Sequence, residues 1–316
     1  MQKFIVLPFF YFGFSCLLLS VLPTAYSQSF ETEQLLPFAD SLFQEGDYLN
    51  AAHEYRRYLF LHPDADNHDL VQFSLAAAYQ NAGKLREAIE TYQKLINTYP
   101  QSSLIPKTQS NIAQCQLLQG DKSTAIASLQ QFQSDYPKGD LAPRAQFTIA
   151  MIHMENKEWE AASRAWQQVS IKYPQTPFAD MSSRLAHTVQ HGTSLPRRSL
   201  AIAGLFSALI PGLGQTYSGR FSDGLQSLIV VGGLAAGTTY YIDQEQYEVA
   251  IPVGIVGLFF YAGNIFGSVQ SAKIFNRQQE DNFLDGLRGQ IRTSNFFGAL
   301  SPRSTDVPLV RWQSRF

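Results

Sequence analysis

Proline stands at positions 63, 100, 137 and 174, an interval of 37 residues each time. Ala39, Ala76, Ala113 and Ala150 keep the same interval, and so do Ala51, Ala88, Ala125 and Ala162. Gly46, Gly83 and Gly120 follow it too, with Lys157 in the fourth place. Four classes of position sharing one period define an internal repeat, and a repeat of this length builds a solenoid. The first Ala is small because helix A must lie close to helix B there. The Gly permits the tight turn between the two. The second Ala packs the start of helix B, and Tyr55, Tyr92, Leu129 and Trp166 fill the space four residues on. The Pro ends helix B, which it cannot continue. Each unit is then an antiparallel helix pair whose apolar face only its neighbours can cover. The expectation is an all-α solenoid of four helix pairs over residues 35–191, with residues 177–191 as a cap helix.

The order small–Gly–Ala–aromatic–Pro resembles the tetratricopeptide repeat, lengthened by three residues over the usual 34. The phrases TYPQSS, DYPKGD and KYPQTP add a Tyr-Pro ending. That combination resembles the periplasmic and outer-membrane-associated branch, the BamD-like and YbgF/CpoB-like repeat proteins. The resemblance implies a concave face, lined by the A helices, that accepts an extended or helical peptide from a protein partner. Gln80, Asn81, Asn111, Gln114 and Gln116 lie on or near those helices and are the expected partner-binding side chains. The competing reading of each is a solvated polar face.

Charged residues make up only 16 % of the chain, against roughly 25 % in a typical soluble domain. Hydrophobic residues, at 45 %, are ordinary, so the deficit in charge is local. It falls in the first 30 residues and after Ser199. The N-terminus has one early Lys3, an apolar run, Pro23, and small residues at Ala25 and Ser27, the layout of a secretory signal peptide over residues 1–27. An uncleaved anchor and a lipoprotein built on Cys16 are the rival readings. All three send the repeats out of the cytoplasm and into a bacterial cell envelope, with the inner membrane as the expected address and the repeats in the periplasm. A net charge of −2 gives no drive toward nucleic acid. The cysteines are Cys16 and Cys115, so removal of a signal peptide leaves no intrachain disulfide. Cys115 reads as a buried small hydrophobe.

Residues 196–292 read as a glycine-rich membrane domain. Three apolar segments, 199–217, 224–242 and 249–268, each hold about the ~20 residues that span a bilayer. Pro211 and its glycines break the first, and Gln215, Thr216, Tyr217 and Ser218 supply polar groups for the freed backbone. Pro211, Gly212, Gly214, Gln215, Tyr217 and Gly219 spell PGLGQ-x-Y-x-G, which resembles a small bacterial membrane module that follows repeat domains. That resemblance implies architecture and no chemistry. Gly233 and Gly237, and Gly263 and Gly267, carry the spacing that lets helices approach closely in lipid. Asn264 is expected to hydrogen-bond across helices. Residues 243–248 connect segments two and three and contain no Lys or Arg, whereas Lys273, Arg277, Arg288 and Arg292 follow segment three. By the preference of cations for the cytoplasm, three spans put the repeats outside and the tail inside. A re-entrant first segment would leave two spans. Residues 269–291 read as an amphipathic helix lying at the interface or packed on the membrane helices, and 293–316 as a poorly ordered tail.

His187 and His191 share a helix side but have no third ligand at a metal spacing. The acids of residues 63–69 lack the Gly and distal Glu of a calcium loop, and Asn67 or Asp69 is better read as a helix cap. No nucleophile elbow, phosphate loop or zinc-protease motif occurs. The expectation is no enzyme, no cofactor and no metal. Partners are a protein in the repeat groove, membrane lipids, and a possible oligomer or membrane complex, with no nucleic acid. The functional reading is a membrane-anchored envelope scaffold. The alternative is an accessory subunit of a transport or channel complex whose glycine-rich helices carry the function.

Overall fold

Each helix pair turns where the 37-residue period sets its glycine. In the computed structural model, which describes residues 34–293, the A and B helices alternate as α1 Leu35–Glu45, α2 Tyr48–Leu61, α3 His68–Asn81, α4 Leu85–Thr98, α5 Ile105–Leu118, α6 Lys122–Asp135, α7 Ala142–Glu155 and α8 Trp159–Lys172. The cap helix α9 is Phe178–Gln190. The B helices begin 37 residues apart and end 37 residues apart. Gly46, Gly83 and Gly120 close the A–B turns with φ of 86°, 75° and 86°, left-handed backbone that glycine adopts without steric cost. Lys157 takes the same conformation, φ 60°, at the same place in the fourth repeat. Asp47 and Asp121 cap α2 and α6, accepting from Asn50 N and Thr124 N. Asn67 does not cap α3; its Oδ1 accepts from the Tyr58 hydroxyl at 3.1 Å. The signal-peptide and tail expectations, Cys16 among them, lie outside the described residues.

The described chain divides into two compact units at residues 149 and 150. In the first unit the core consists of layers between successive helices. Ala39, Ala51, Ala52, Tyr55, Val71, Leu75 and Ala78 form one layer. Phe73, Ala76, Ala88, Tyr92, Leu95, Ile105, Ile112 and Cys115 form the next, and Tyr79 packs against both. The periodic alanines are 0–2 % exposed, as close helix contact requires.

The second unit joins the last repeat to the apolar module. Beyond α9 come a 3₁₀ turn at His191–Ser194, then α10 Leu200–Leu209, α11 Leu213–Tyr217, α12 Phe221–Asp243 and α13 Tyr247–Thr293. No strand occurs among the described residues. Helices α12 and α13 are long and apolar enough to cross a membrane, and little of their apolar surface is covered by the chain itself. Two expectations need correction. Residues 199–217 are not one spanning helix: α10 has ten residues, about 15 Å, and the chain then turns. Residues 249–268 and 269–291 are not a span followed by a second helix but two halves of the 47-residue α13. The helix runs on through Gly267, because no Pro follows it before the polar half ends.

Candidate functional site: a repeat face and a glycine-rich polar knot

On the repeat face, three of the five expected partner-binding side chains are turned inward. Gln80, Asn111 and Gln114 are only 5–6 % exposed. Gln80 Nε2 donates to Gln114 Oε1 at 3.0 Å, the Tyr92 hydroxyl donates to Gln80 Oε1 at 3.0 Å, and Asn111 Nδ2 donates to the Tyr92 oxygen at 2.9 Å. These amides hold adjacent repeats together, since buried polar groups in a close-packed layer need partners. Asn81 folds back on Ala77 O at 2.8 Å and is half-buried. Gln116 is half-buried, and its Oε1 has no hydrogen-bond partner. Burial drives the Tyr92 hydroxyl well above its usual range, and it pushes the Cys115 thiol up to about 12. Gln72, Gln109 and Gln146, spaced by 37, form a further polar row that the sequence reading missed.

In the second unit the PGLGQ-x-Y-x-G residues tie a closed knot. Ile210 leaves α10 in an extended conformation, Pro211 follows, and Gly212 reverses the chain with φ 88°. A Cβ on Gly212 would lie 1.9 Å from Gly224 O, and one on Gly214 would lie 2.0 Å from Ala203 O. Both glycines are therefore fixed by close backbone approach. Ser207 Oγ accepts from Gly214 N at 3.0 Å and donates to Gln215 Oε1 at 2.9 Å. Gln215 Nε2 donates to Asn264 at 3.1 Å. Asn264 Oδ1 accepts from Gly212 N at 3.0 Å, while its Nδ2 donates to Ser207 O at 3.0 Å. The Tyr261 hydroxyl donates to Ala208 O at 2.6 Å, and Ser268 Oγ donates to Ala203 O at 3.0 Å. A broken helix in an apolar setting strands its last carbonyls and next amides. Here side chains of α13 and the motif satisfy them. Tyr217 closes the outer end: its hydroxyl accepts from Ser199 N at 3.3 Å and its ring meets Phe206 edge-on at 5.5 Å. Gly219 has φ 83° with open space around it.

The other glycines behave differently from the expectation. Nothing lies within 4 Å of a Cβ added to Gly233 or Gly263, and Gly237 and Gly267 have only ordinary contacts. The α12–α13 hairpin instead packs closely at Gly254, against Thr238, and at Gly257, against Leu234. A small-xxx-small pattern marks a face that can be approached, and the turn at residues 243–247 sets which face the partner helix meets.

Contacts between the last repeat and the polar half of α13 were not visible in the sequence. Lys157 Nζ reaches Asp281 at 2.7 Å and Glu280 at 3.2 Å, and Arg197 also binds Glu280, at 3.1 Å. Burial works against the Lys157 charge, but the two carboxylates outweigh it and its pKa is raised. Arg288 clasps Glu155 with bonds of 2.9 and 2.5 Å, which hold its guanidinium above its usual range. The Trp159 and Phe283 rings meet edge-on at 5.3 Å, and Gly192 lies so near both that a Cβ there would clash with each. The one available signal was Lys157 itself, a long cation where the other repeats have glycine. Among the described residues no group of three or more potential metal ligands occurs; His187 lines an open cleft of about 670 Å³ with Met181 and Arg184.

A tetratricopeptide-repeat family model matches residues 71–102, 109–139 and 144–176. No curated protein matches the chain. Among solved structures, a tetratricopeptide repeat protein from Parabacteroides merdae is similar at 12 % identity and a TM-score of 0.42, over 81 % of this chain and 98 % of that one. Nearly identical TPR-like repeats from Podosopora anserina are similar at 16 % identity and a TM-score of 0.42, over 52 % and 87 %. MamA follows at 17 % identity and 0.35, over 52 % and 92 %. The matched repeats and the 37-residue helix pairs together make the first half of this chain a tetratricopeptide-repeat solenoid, a fold whose repeats serve protein–protein interaction.

Proposed function

We propose that the protein is a membrane-anchored scaffold of the bacterial cell envelope, whose repeats hold a protein partner close to the bilayer. The observation that carries the reading is the packing of the last repeat onto α13, the longer of the two apolar helices. The last repeat is then joined to the anchor by packing as well as by the linker. The anchor is a two-helix hairpin, α12–α13, with α10–α11 as a re-entrant element. The end of α13 lies beside the last repeat, and the contact of Asn276 with Arg198 supports two spans rather than three, with repeats and helix end on one face. The signal-peptide layout sends that face to the periplasm, because an N-terminal export signal acts before the hairpin has been made and long domains translocate largely regardless of charge. The transport-subunit reading has less support: the polar side chains of the apolar module bond one another and line no path.

The test is photo-cross-linking in intact membranes with the full chain. A photoreactive residue at Asn81 or Gln116 is expected to give a discrete protein adduct, and one at the exposed Lys94 none. Equal adducts at all three positions, or none at Asn81 and Gln116, overturn the scaffold reading.

A further inference from the structure

The cap helix α9 and the end of α13 enclose an open cleft of about 670 Å³. Met181, Arg184, Leu185 and Thr188 stand at helical spacing, so one side of α9 faces it. The buried Met181 and Leu185 form its apolar floor. Gln290 lines it from α13, on a firmly seated helix end: Leu287 and Ile291 are 1 % and 3 % exposed, and Arg288 clasps Glu155. The charge in the cleft is one-sided. Arg184 and His187 both line it and are exposed, and neither has an ion pair among the described residues. No carboxylate is among the described residues that line it, and Asp180, one turn before Arg184, does not pair with it. A guanidinium and an imidazole without an acid, set over an apolar floor, match a carboxylate carried beside an aliphatic side chain.

We propose that this cleft binds a partner protein through a segment that places an Asp or Glu beside an aliphatic side chain. The inference rests on the scaffold reading and names the chemistry of its partner. The carboxylate pairs with the Arg184 fork, the His187 ring and the Ser183 hydroxyl add donors, and the aliphatic side chain covers Met181 and Leu185. Residues 294–316 of the chain itself follow α13 directly, but they carry Arg303, Arg311 and Arg315 against one acid, Asp306. Charge therefore favours another protein over this tail.

The test places a photoreactive residue at the exposed Ser183 of the full chain in intact membranes. The cross-linked peptide is then sequenced by mass spectrometry. The expected result is a single partner segment with Asp or Glu next to Leu, Ile or Val. Adding Arg184→Gln, which changes only an exposed side chain, should lower the yield of that adduct about tenfold. An unchanged yield in the Arg184→Gln chain overturns the proposal, as does a mapped segment without an acid or an adduct to residues 294–316. Silence at Ser183 while Asn81 and Gln116 still cross-link also overturns it and leaves the scaffold reading standing. Silence at all three positions sinks both.

Discussion

Glycines that look alike in the sequence differ in what surrounds them. Gly212 and Gly214 face backbone oxygens at 1.9 and 2.0 Å from a would-be Cβ, whereas Gly233 and Gly263 face open space. Gly212→Ala combines left-handed strain with a backbone clash and should cost roughly 2–4 kcal/mol. Gly233→Ala and Gly263→Ala should change stability by less than about 1 kcal/mol, since Ala favours a helix over Gly. Melting in detergent checks the contrast; a Gly233 variant as damaged as the Gly212 one would overturn it. Asn264→Leu strands the Gly212 amide, takes the Nδ2 donor from Ser207 O and removes one acceptor of Gln215 Nε2, and at about 1–3 kcal/mol for each unmade buried bond it should destabilise the hairpin strongly. The cross-helix role of Asn264 was legible because a lone amide in an apolar segment has to find a partner. The inward turn of Gln80 and Gln114 was not, because they lie 34 residues apart and the repeat is 37. Cys115, fully buried with its pKa pushed up to about 12, should react with a maleimide only after denaturation.

Helix α13 is one element with two halves of different polarity. Its first half carries the apolar residues of the hairpin, and its last 25 residues extend about 37 Å further and bear the ion pairs to the fourth repeat. Arg288→Ala leaves the Glu155 carboxylate, 7 % exposed, without its bidentate partner. With Arg288 itself 40 % exposed, the cost should be about 1–3 kcal/mol, below that of a fully buried pair. Lys157 gives the same junction a pH dependence. Its folded pKa is raised above the ordinary 10.5, so its stabilising charge is fully present below pH 10.5 and is lost as pH rises through the raised value. Comparing melting of the native chain and Lys157→Gln from pH 8 to 12 should show the difference between them shrinking at the alkaline end. A constant difference would mean that the ion pairs contribute nothing to the junction.

At the scale of the molecule, a cut at residue 195 would not release an intact repeat domain. It would uncover Trp159 and leave Glu155 and Lys157 without the partners that α13 supplies. Truncations at that linker should therefore aggregate or lose the fourth repeat, which limited proteolysis would reveal. Membrane topology is tested by single cysteines placed at Thr193 and at Gln246 in a cysteine-free background. Under the two-span reading an impermeant maleimide added from the periplasmic side labels Thr193→Cys and spares Gln246→Cys. A further cysteine at Arg292 should label with Thr193→Cys; protection at Arg292 would restore the three-span arrangement.

The 37-residue period, by repeating small, turn-forming and helix-stopping residues at fixed offsets, determined the helix pairs almost to their ends. Local steric rules act over a few residues and are written directly in the chain. Apolar run length likewise singled out α12 and the first half of α13. Tertiary structure alone decided how the broken first segment is satisfied and that the end of α13 packs on the fourth repeat. Those outcomes depend on Ser207, Gln215 and Asn264, up to 57 positions apart, finding one another where water is absent. They depend equally on Arg288 and Glu155, which lie 133 positions apart. No periodicity records such pairs, because each is a single meeting of side chains that only the folded backbone brings together.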